Sequence, residues 1–204
     1  MTDALHFDAA DHRYTVARRR LASVTTVLHA VGTLHLDPSI SAHHLEYARE
    51  RGSQCHLAIR FSNEGRLDPQ SVGAVVEPYL YAWEAFCAEH LGAFVPHTVE
   101  QPLADSVLGF AGTPDVAGTM RGVETVIDVK TSVAMPPGTG VQLAAYKMLL
   151  RSNGYPVPVR RAGVHLKPDG TFRLIPYNDP LDEPEFRAAL LLYSRRVQRE
   201  GAWT

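Results

Sequence analysis

Residues 109–132 read GFAGTPDVAGTMRGVETVIDVKTS, and they constrain the fold more than any other stretch of the chain. Two strand-like runs flank Arg121-Gly122, a pair suited to a two-residue hairpin loop because glycine takes the positive φ such turns require. With that loop Met120 faces Val123, and the same register sets Asp115 opposite Asp128. The two carboxylates then share one face of the hairpin, with Cβ atoms about 4.5–5.5 Å apart. Alternation along the strand adds Lys130 to that face and turns Ile127 and Val129 the other way, toward a core.

The rest of the chain supplies elements to pack against this hairpin. Leu5–Phe7 and Arg13–Val16 flank a turn-rich DAADH and read as a small hairpin. Ser23 caps a short helix through Val31, ended by Gly32. From Ser41 to about Phe61, Leu45, Ala48, Gly52, Cys55 and Ile59 recur at helical spacing. A second long helix is expected over Ser71–His90, with Val72, Val75, Val76, Leu80, Trp83 and Phe86 inward and Leu91-Gly92 as its stop. Ala93–Pro102, Val107–Gly118 and Glu124–Thr131 are strand-like, and Arg161–Lys167 with Thr171–Tyr177 forms a hairpin around Pro168-Asp169-Gly170. Helices are expected from about Thr139 to Ser152, stopped by Asn153-Gly154, and from about Glu183 to Glu200. This order predicts an α/β fold, one mixed sheet with helices against its faces.

Composition narrows the class. A chain of 204 residues can bury roughly 70% of its unfolded surface in one core. With 45% hydrophobic and 21% charged residues it is globular rather than disordered or fibrous. No apolar run approaches the ~18 residues that span a bilayer, and MTDALHFDAADH lacks the basic-then-apolar layout of a signal peptide. The expectation is a soluble cytoplasmic protein without a membrane partner. Net charge is −2, yet Arg18-Arg19-Arg20, Arg49 with Arg51, Arg160-Arg161, and Arg195-Arg196 with Arg199 are basic clusters. They read either as solvated surface or as phosphate contacts. Cys55 and Cys87 fit no CxxC pattern, so neither a disulfide framework nor a four-cysteine cluster can form within the chain.

Two carboxylates and a lysine beside apolar strand residues carry a chemical reading. Oxygen ligands suit a hard cation such as Mg²⁺ (or Mn²⁺), and the backbone carbonyl of Val129 could add another. Lys130 would orient or deprotonate a metal-activated water, or stabilise charge developing on phosphorus. The competing reading is an exposed hairpin with a cross-strand salt bridge.

These residues resemble the PD-(D/E)XK nuclease superfamily, in particular its RecB-type and phage-exonuclease-like branch. Pro114-Asp115 matches the PD, and Asp128-Val129-Lys130 the (D/E)XK. Gln142-Leu143-Ala144-Ala145-Tyr146 resembles the branch's QxxxY motif, and Arg51-Gly52-Ser53-Gln54-Cys55-His56 its RGxxxH helix. Ser23-Val24-Thr25-Thr26 and Glu100 are also similar, so the likeness runs from about residue 14 to 150. It implies a single restriction-endonuclease-like domain over 1–204: a helical part about 23–92, a catalytic sheet and helix about 93–152, and a C-terminal hairpin and helix about 158–200.

The resemblance implies that Asp115, Asp128 and Lys130 are catalytic, with Asp115 and Asp128 binding the metal and His56 reaching it from the first long helix. Read from residues alone, His56 lies beside Cys55 on an apolar helix side and would be a buried structural histidine. Gly52, one turn earlier, would let that helix approach the sheet. Gln142 and Tyr146 share a helical face and would contact substrate and brace the lysine, or else mark an amphipathic boundary. Glu100 would supply a second carboxylate, act through water, or simply face solvent. His43-His44, His90, His97 and His165 read as surface or structural residues. With two cysteines, the iron–sulfur cluster of part of the superfamily is not expected.

The implied activity is a Mg²⁺- or Mn²⁺-dependent deoxyribonuclease, an exonuclease of the kind found in phage or recombination systems, hydrolysing DNA phosphodiesters with a metal-activated water. A non-cleaving DNA- or protein-binding module of the same fold, or a phosphohydrolase of small phosphate esters, are the alternatives. No coiled-coil seam or repeat marks an oligomer. The last helix, with Leu190, Leu191, Leu192 and Val197, either completes the core or makes a subunit contact.

Overall fold

The computed structural model describes residues 4–34, 41–90 and 94–201. In chain order these form β1 (Leu5–Asp8), β2 (Arg13–Val16), β3 (Arg19–Ser23), α1 (Val24–Ala30), α2 (Ala42–Asn63), α3 (Glu77–His90), β4 (Phe94–Val99), β5 (Leu103–Asp105), β6 (Phe110–Gly112), β7 (Val116–Met120), β8 (Val123–Lys130), α4 (Thr139–Ser152), β9 (Arg160–Leu166), β10 (Phe172–Pro176) and α5 (Asp182–Glu200). Ser23 and Ser41 cap α1 and α2 by accepting the amide hydrogens of Thr26 and His44.

The strands form two mixed five-stranded sheets, not the single one expected: β1-β2-β3-β6-β5 and β10-β9-β8-β7-β4. The run expected as one strand over Val107–Gly118 breaks at Thr113-Pro114, where proline has no N–H for a ladder. Upstream of the break β6 pairs in parallel with β3 (Ala22↔Phe110); downstream β7 pairs with β8. One segment thus stitches the two sheets together, with Asp115 at the stitch.

The β7–β8 hairpin has the expected register, from Met120↔Val123 to Val116↔Ile127. Its loop residues Arg121 and Gly122 both take positive φ, 49° and 75°, as a type I′ turn demands. Helix α3 starts at Glu77, later than Ser71. A short 3₁₀ turn over Pro69–Ser71 precedes it, and Pro78 sits in its first turn, where a missing N–H leaves nothing unpaired. Val75, outside the helix, is exposed, whereas Val76 is buried. The Leu91-Gly92 stop lies outside the described residues.

Apolar residues cover both faces of the second sheet. Ala117 and Val126 pack with Leu28 of α1, Leu143 and Leu149 of α4 and Phe186 of α5. Val116, Ile127, Val129 and Val164 pack on the other side with Cys55 and Ile59 of α2 and Trp83 and Phe86 of α3. Eleven of the fourteen residues of α4 are buried, including positions all around its axis. On α5 the expected apolar set divides: Leu190 and Val197 are buried, while Leu191 and Leu192 are exposed. Arg161 is no surface cation either. Its guanidinium donates to Asp182 Oδ2 (2.6 Å) and to the carbonyls of Gly140 and Asp179, tying the start of α4 to the start of α5.

Candidate active site

The β7–β8 ladder stops at Val116↔Ile127, and Asp115 lies just past it. There Asp115 Oδ2 accepts the Val129 amide hydrogen (2.6 Å), so the side chain fixes itself to the facing strand. Asp128 is fully buried on β8, and the ammonium of Lys130, two residues on, donates to its Oδ1 (2.7 Å) and lies 2.6 Å from its Oδ2. Both carboxylate oxygens of Asp128 are thus engaged by the one ammonium.

Helix α2 brings His56 to the same corner. Its Nδ1 donates to Glu100 Oε1 (2.7 Å) and stands 3.7 Å from Asp115 Oδ1. Glu100 follows directly on β4 and is held at φ 47°, a left-handed conformation that costs a non-glycine residue of order 1 kcal/mol. Its amide hydrogen goes to the Asp115 carbonyl (2.8 Å). One ligand atom from each of His56, Glu100 and Asp115 lies within 4.8 Å of the others. Glu100 therefore sits inside the cluster, and the alternative of a solvent-facing strand glutamate is set aside by its position.

Two further residues of the α2 motif behave differently from their sequence reading. Arg51, given no role of its own, donates to the Thr131 carbonyl (3.0 Å) just past Lys130 and lies over the Tyr79 ring. It straps α2 to the end of β8. Gly52 is not needed for close approach, because a Cβ there would meet only Thr131 Oγ1, at an ordinary 3.7 Å. A glycine that does make room beside the site is Gly112 of β6, where a Cβ would come within 3.0 Å of the Tyr146 ring.

Gln142 and Tyr146 are buried on α4, and Gln142 Nε2 donates to Tyr146 Oη (2.9 Å). The hydroxyl is thus held inside the protein rather than wetted, and among the described residues neither side chain hydrogen-bonds Lys130. The Tyr146 ring does reach a cleft of about 610 Å³, whose walls include Tyr14, Arg49, His56, Glu100 and Asp115. This cleft is the approach to the acidic cluster.

The fold belongs with one already seen in a crystal. A candidate exonuclease from Eubacterium rectale superposes with a TM-score of 0.53 at 13% identity, over 88% of this chain and 80% of that one. An alkaline exonuclease from Laribacter hongkongensis gives a TM-score of 0.34 at 15% identity, over 89% and 93%. No protein-family profile matches the chain, and no curated protein sequence matches it. Among the described residues no helix is long and apolar enough to cross a membrane.

The cluster is electrostatically tense. Burial pushes Asp128 up to about 6, against the pull of Lys130, and burial also raises Asp115. Burial disfavours the charged form of His56, but Asp115 and Glu100 outweigh it and bring the imidazole up to about 9. For Lys130 the same contest ends above the ordinary lysine value, because Asp128 and Asp115 overcome desolvation, so it is an ammonium. Burial likewise raises the Tyr146 hydroxyl well above its usual value. Asp115 and Glu100, with ligand atoms within 4.8 Å of one of His56, and Asp128 close enough to feel their charge, are a donor set that a hard divalent cation would satisfy.

The remaining candidates are structural. His43 and His44 are exposed, His90 packs on Phe86 and Phe172, His97 bonds Thr119 and Glu124, and His165 bonds the Ser132 carbonyl. Cys55 and Cys87 are free and buried in the α2–α3 core.

Proposed function

We propose that this chain is a divalent-metal-dependent deoxyribonuclease that hydrolyses phosphodiester bonds from DNA ends. The observation that carries the reading is the meeting of Asp115, Asp128 and Lys130 with His56 and Glu100 at the end of one hairpin, beside an open cleft. The Eubacterium rectale protein that shares the fold is itself a candidate exonuclease.

Asp115, Asp128, Glu100 and His56 would hold Mg²⁺ or Mn²⁺, with the Val129 carbonyl as a further oxygen. The ion would polarise a phosphoryl oxygen and lower the pKa of water it binds. His56 must give up its proton to bind, which the ordinary chemistry of an imidazole ligand allows at a cost in affinity at low pH. Lys130 acts as an ammonium: it places positive charge where a phosphodiester transition state gathers negative charge. Asp128 holds that amine on station, and the Val129 amide orients Asp115. Gln142 fixes the Tyr146 hydroxyl, so that the ring presents a defined wall to substrate entering the cleft.

The test is a time course on end-labelled linear DNA, single- and double-stranded, beside a closed circle, with Mg²⁺, Mn²⁺ or chelator. Stepwise loss from an end, only with metal and only from linear DNA, is the expected result. Cutting of the circle would make the enzyme an endonuclease, and no cleavage of any substrate would end the nuclease reading.

A further inference from the structure

The cleft has one wall that the hydrolytic machinery does not use. The β1–β2 hairpin contributes Phe7, His12 and Tyr14 to it. Phe7 stacks on Tyr14 with ring centroids 4.7 Å apart, and His12 stands edge-on to both. Tyr14 is buried and pinned through its hydroxyl to Thr113 Oγ1 (2.8 Å), two residues before Asp115. Phe7 is half-buried and His12 exposed, so these two rings meet whatever enters. His12 is held there at φ 49°, a left-handed conformation that turns a ring outward at a conformational cost.

Another part of the lining carries arginines, beside the carboxylates of Glu100 and Asp115. Arg49, Gly52, Ser53, His56, Leu57 and Arg60 form one face of α2 along the cleft. Arg49 and Arg60 stand about 16 Å apart along the helix axis, on either side of His56. Arg49 makes no salt bridge among the described residues, while Arg60 shares its charge with Glu64. Aromatic rings and guanidinium groups lining one cleft are the pairing that recognises a nucleotide, rings for the base and cations for the phosphate.

We infer that the cleft holds an unpaired terminal nucleotide of a DNA strand, its base stacked against Phe7 and His12 and its phosphates running along Arg49 and Arg60. The inference rests on the nuclease reading for its chemistry and adds the kind of end the enzyme takes. A base inside a duplex has both faces covered by its neighbours and cannot stack on protein rings. A single-stranded tail offers such a face without unpairing anything. At about 610 Å³ the cleft is of a size for a small ligand or a nucleotide or two.

The experiment separates this inference from cleavage by working in chelator, where nothing is cut. A single-stranded oligonucleotide carries 2-aminopurine at one terminus or at its centre, and its fluorescence and anisotropy are followed as protein is added. Quenching is expected at a terminal probe and not at the central one. Tail binding should weaken about tenfold in Phe7→Leu and in His12→Asn, with the quench lost. Leucine keeps the apolar bulk of the half-buried site and asparagine tolerates φ above zero, so both variants should melt with wild type. Arg49→Gln should weaken binding and flatten its salt dependence while the quench persists. Blunt duplex should bind less tightly than the same duplex with a tail. No terminal quench in wild type, or quenching and affinity unchanged in both ring variants, would overturn the pocket. Those results would stand whether or not the protein later proves to cut DNA.

Discussion

Helices α2 and α4 flank the same acidic corner and are built on opposite principles. Eleven of fourteen residues of α4 are buried, against three of twenty-two in α2: Cys55, Ala58 and Ile59. Helix α4 is enclosed by α1, α5 and strands of both sheets, whereas α2 rests on α3 by one stripe and is strapped to β8 by Arg51. The difference assigns labour. The sheet and α4 fix where the acids stand, and α2 supplies a histidine and a basic face without carrying much of the core. Changes on the buried side should therefore damage fold or chemistry, and changes on α2 should be felt mainly by ligands.

The largest effect belongs to the sheet. Lys130→Ala should keep the circular dichroism of a folded protein, melt lower because Asp128 is left buried without its partner, and cut cleavage of end-labelled DNA about 10²–10³-fold. Wild-type rates in that variant would remove Lys130 from the chemistry. Next, Leu149→Ala in α4, fully buried, should cost about 2–5 kcal/mol in urea unfolding, whereas Leu57→Ala in α2, half exposed, should stay within about 0.5 kcal/mol. Equal costs would erase the contrast between the helices.

His56 tests the one deep contribution of α2. Its pKa is raised from 6.5 in the unfolded chain to about 9, so it binds its proton more tightly when folded. Its stabilisation is fully present below pH 6.5 and is lost as pH rises through 9. In chelator, the stability difference between wild type and His56→Gln should be on the order of 2–3 kcal/mol near pH 6 and close to zero by pH 10. A difference that grows with pH would reverse the assignment. The smallest effect is at Gly52. Gly52→Ala removes a flexible residue from a helix interior and meets no clash, so thermal stability should rise by about 0.5–1 kcal/mol. Gly112→Ala, wedged against the Tyr146 ring, should instead destabilise by about 1–3 kcal/mol.

Much of this was legible from residue order, and for physical reasons. A two-residue turn with glycine fixes register, so Asp115 and Asp128 could be set at one end of a hairpin from counting alone. The Thr139–Ser152 helix has clear stops, and its observed bounds coincide with the expected ones. The first sheet was much less visible. Its β2–β3 turn is built from Ala17 and Arg18 at φ 50° and 65°, where glycine or asparagine would have given a signal. Strand β5 has three residues, too few for any alternation to show. Nor does spacing reveal that Arg51 and Arg161 spend their charge on backbone carbonyls, since only tertiary placement brings those oxygens near. Glu100 stood in the sequence as one option among three, because its left-handed backbone is set by the bend after β4.

The stitch at Thr113–Asp115 has a consequence for the life of the chain. Asp115 hangs from the seam, while Glu100, Asp128 and Lys130 stand on or beside the second sheet and His56 on α2. Local opening of the seam would therefore displace Asp115 first, while Asp128 and Lys130, paired within one strand, stay together.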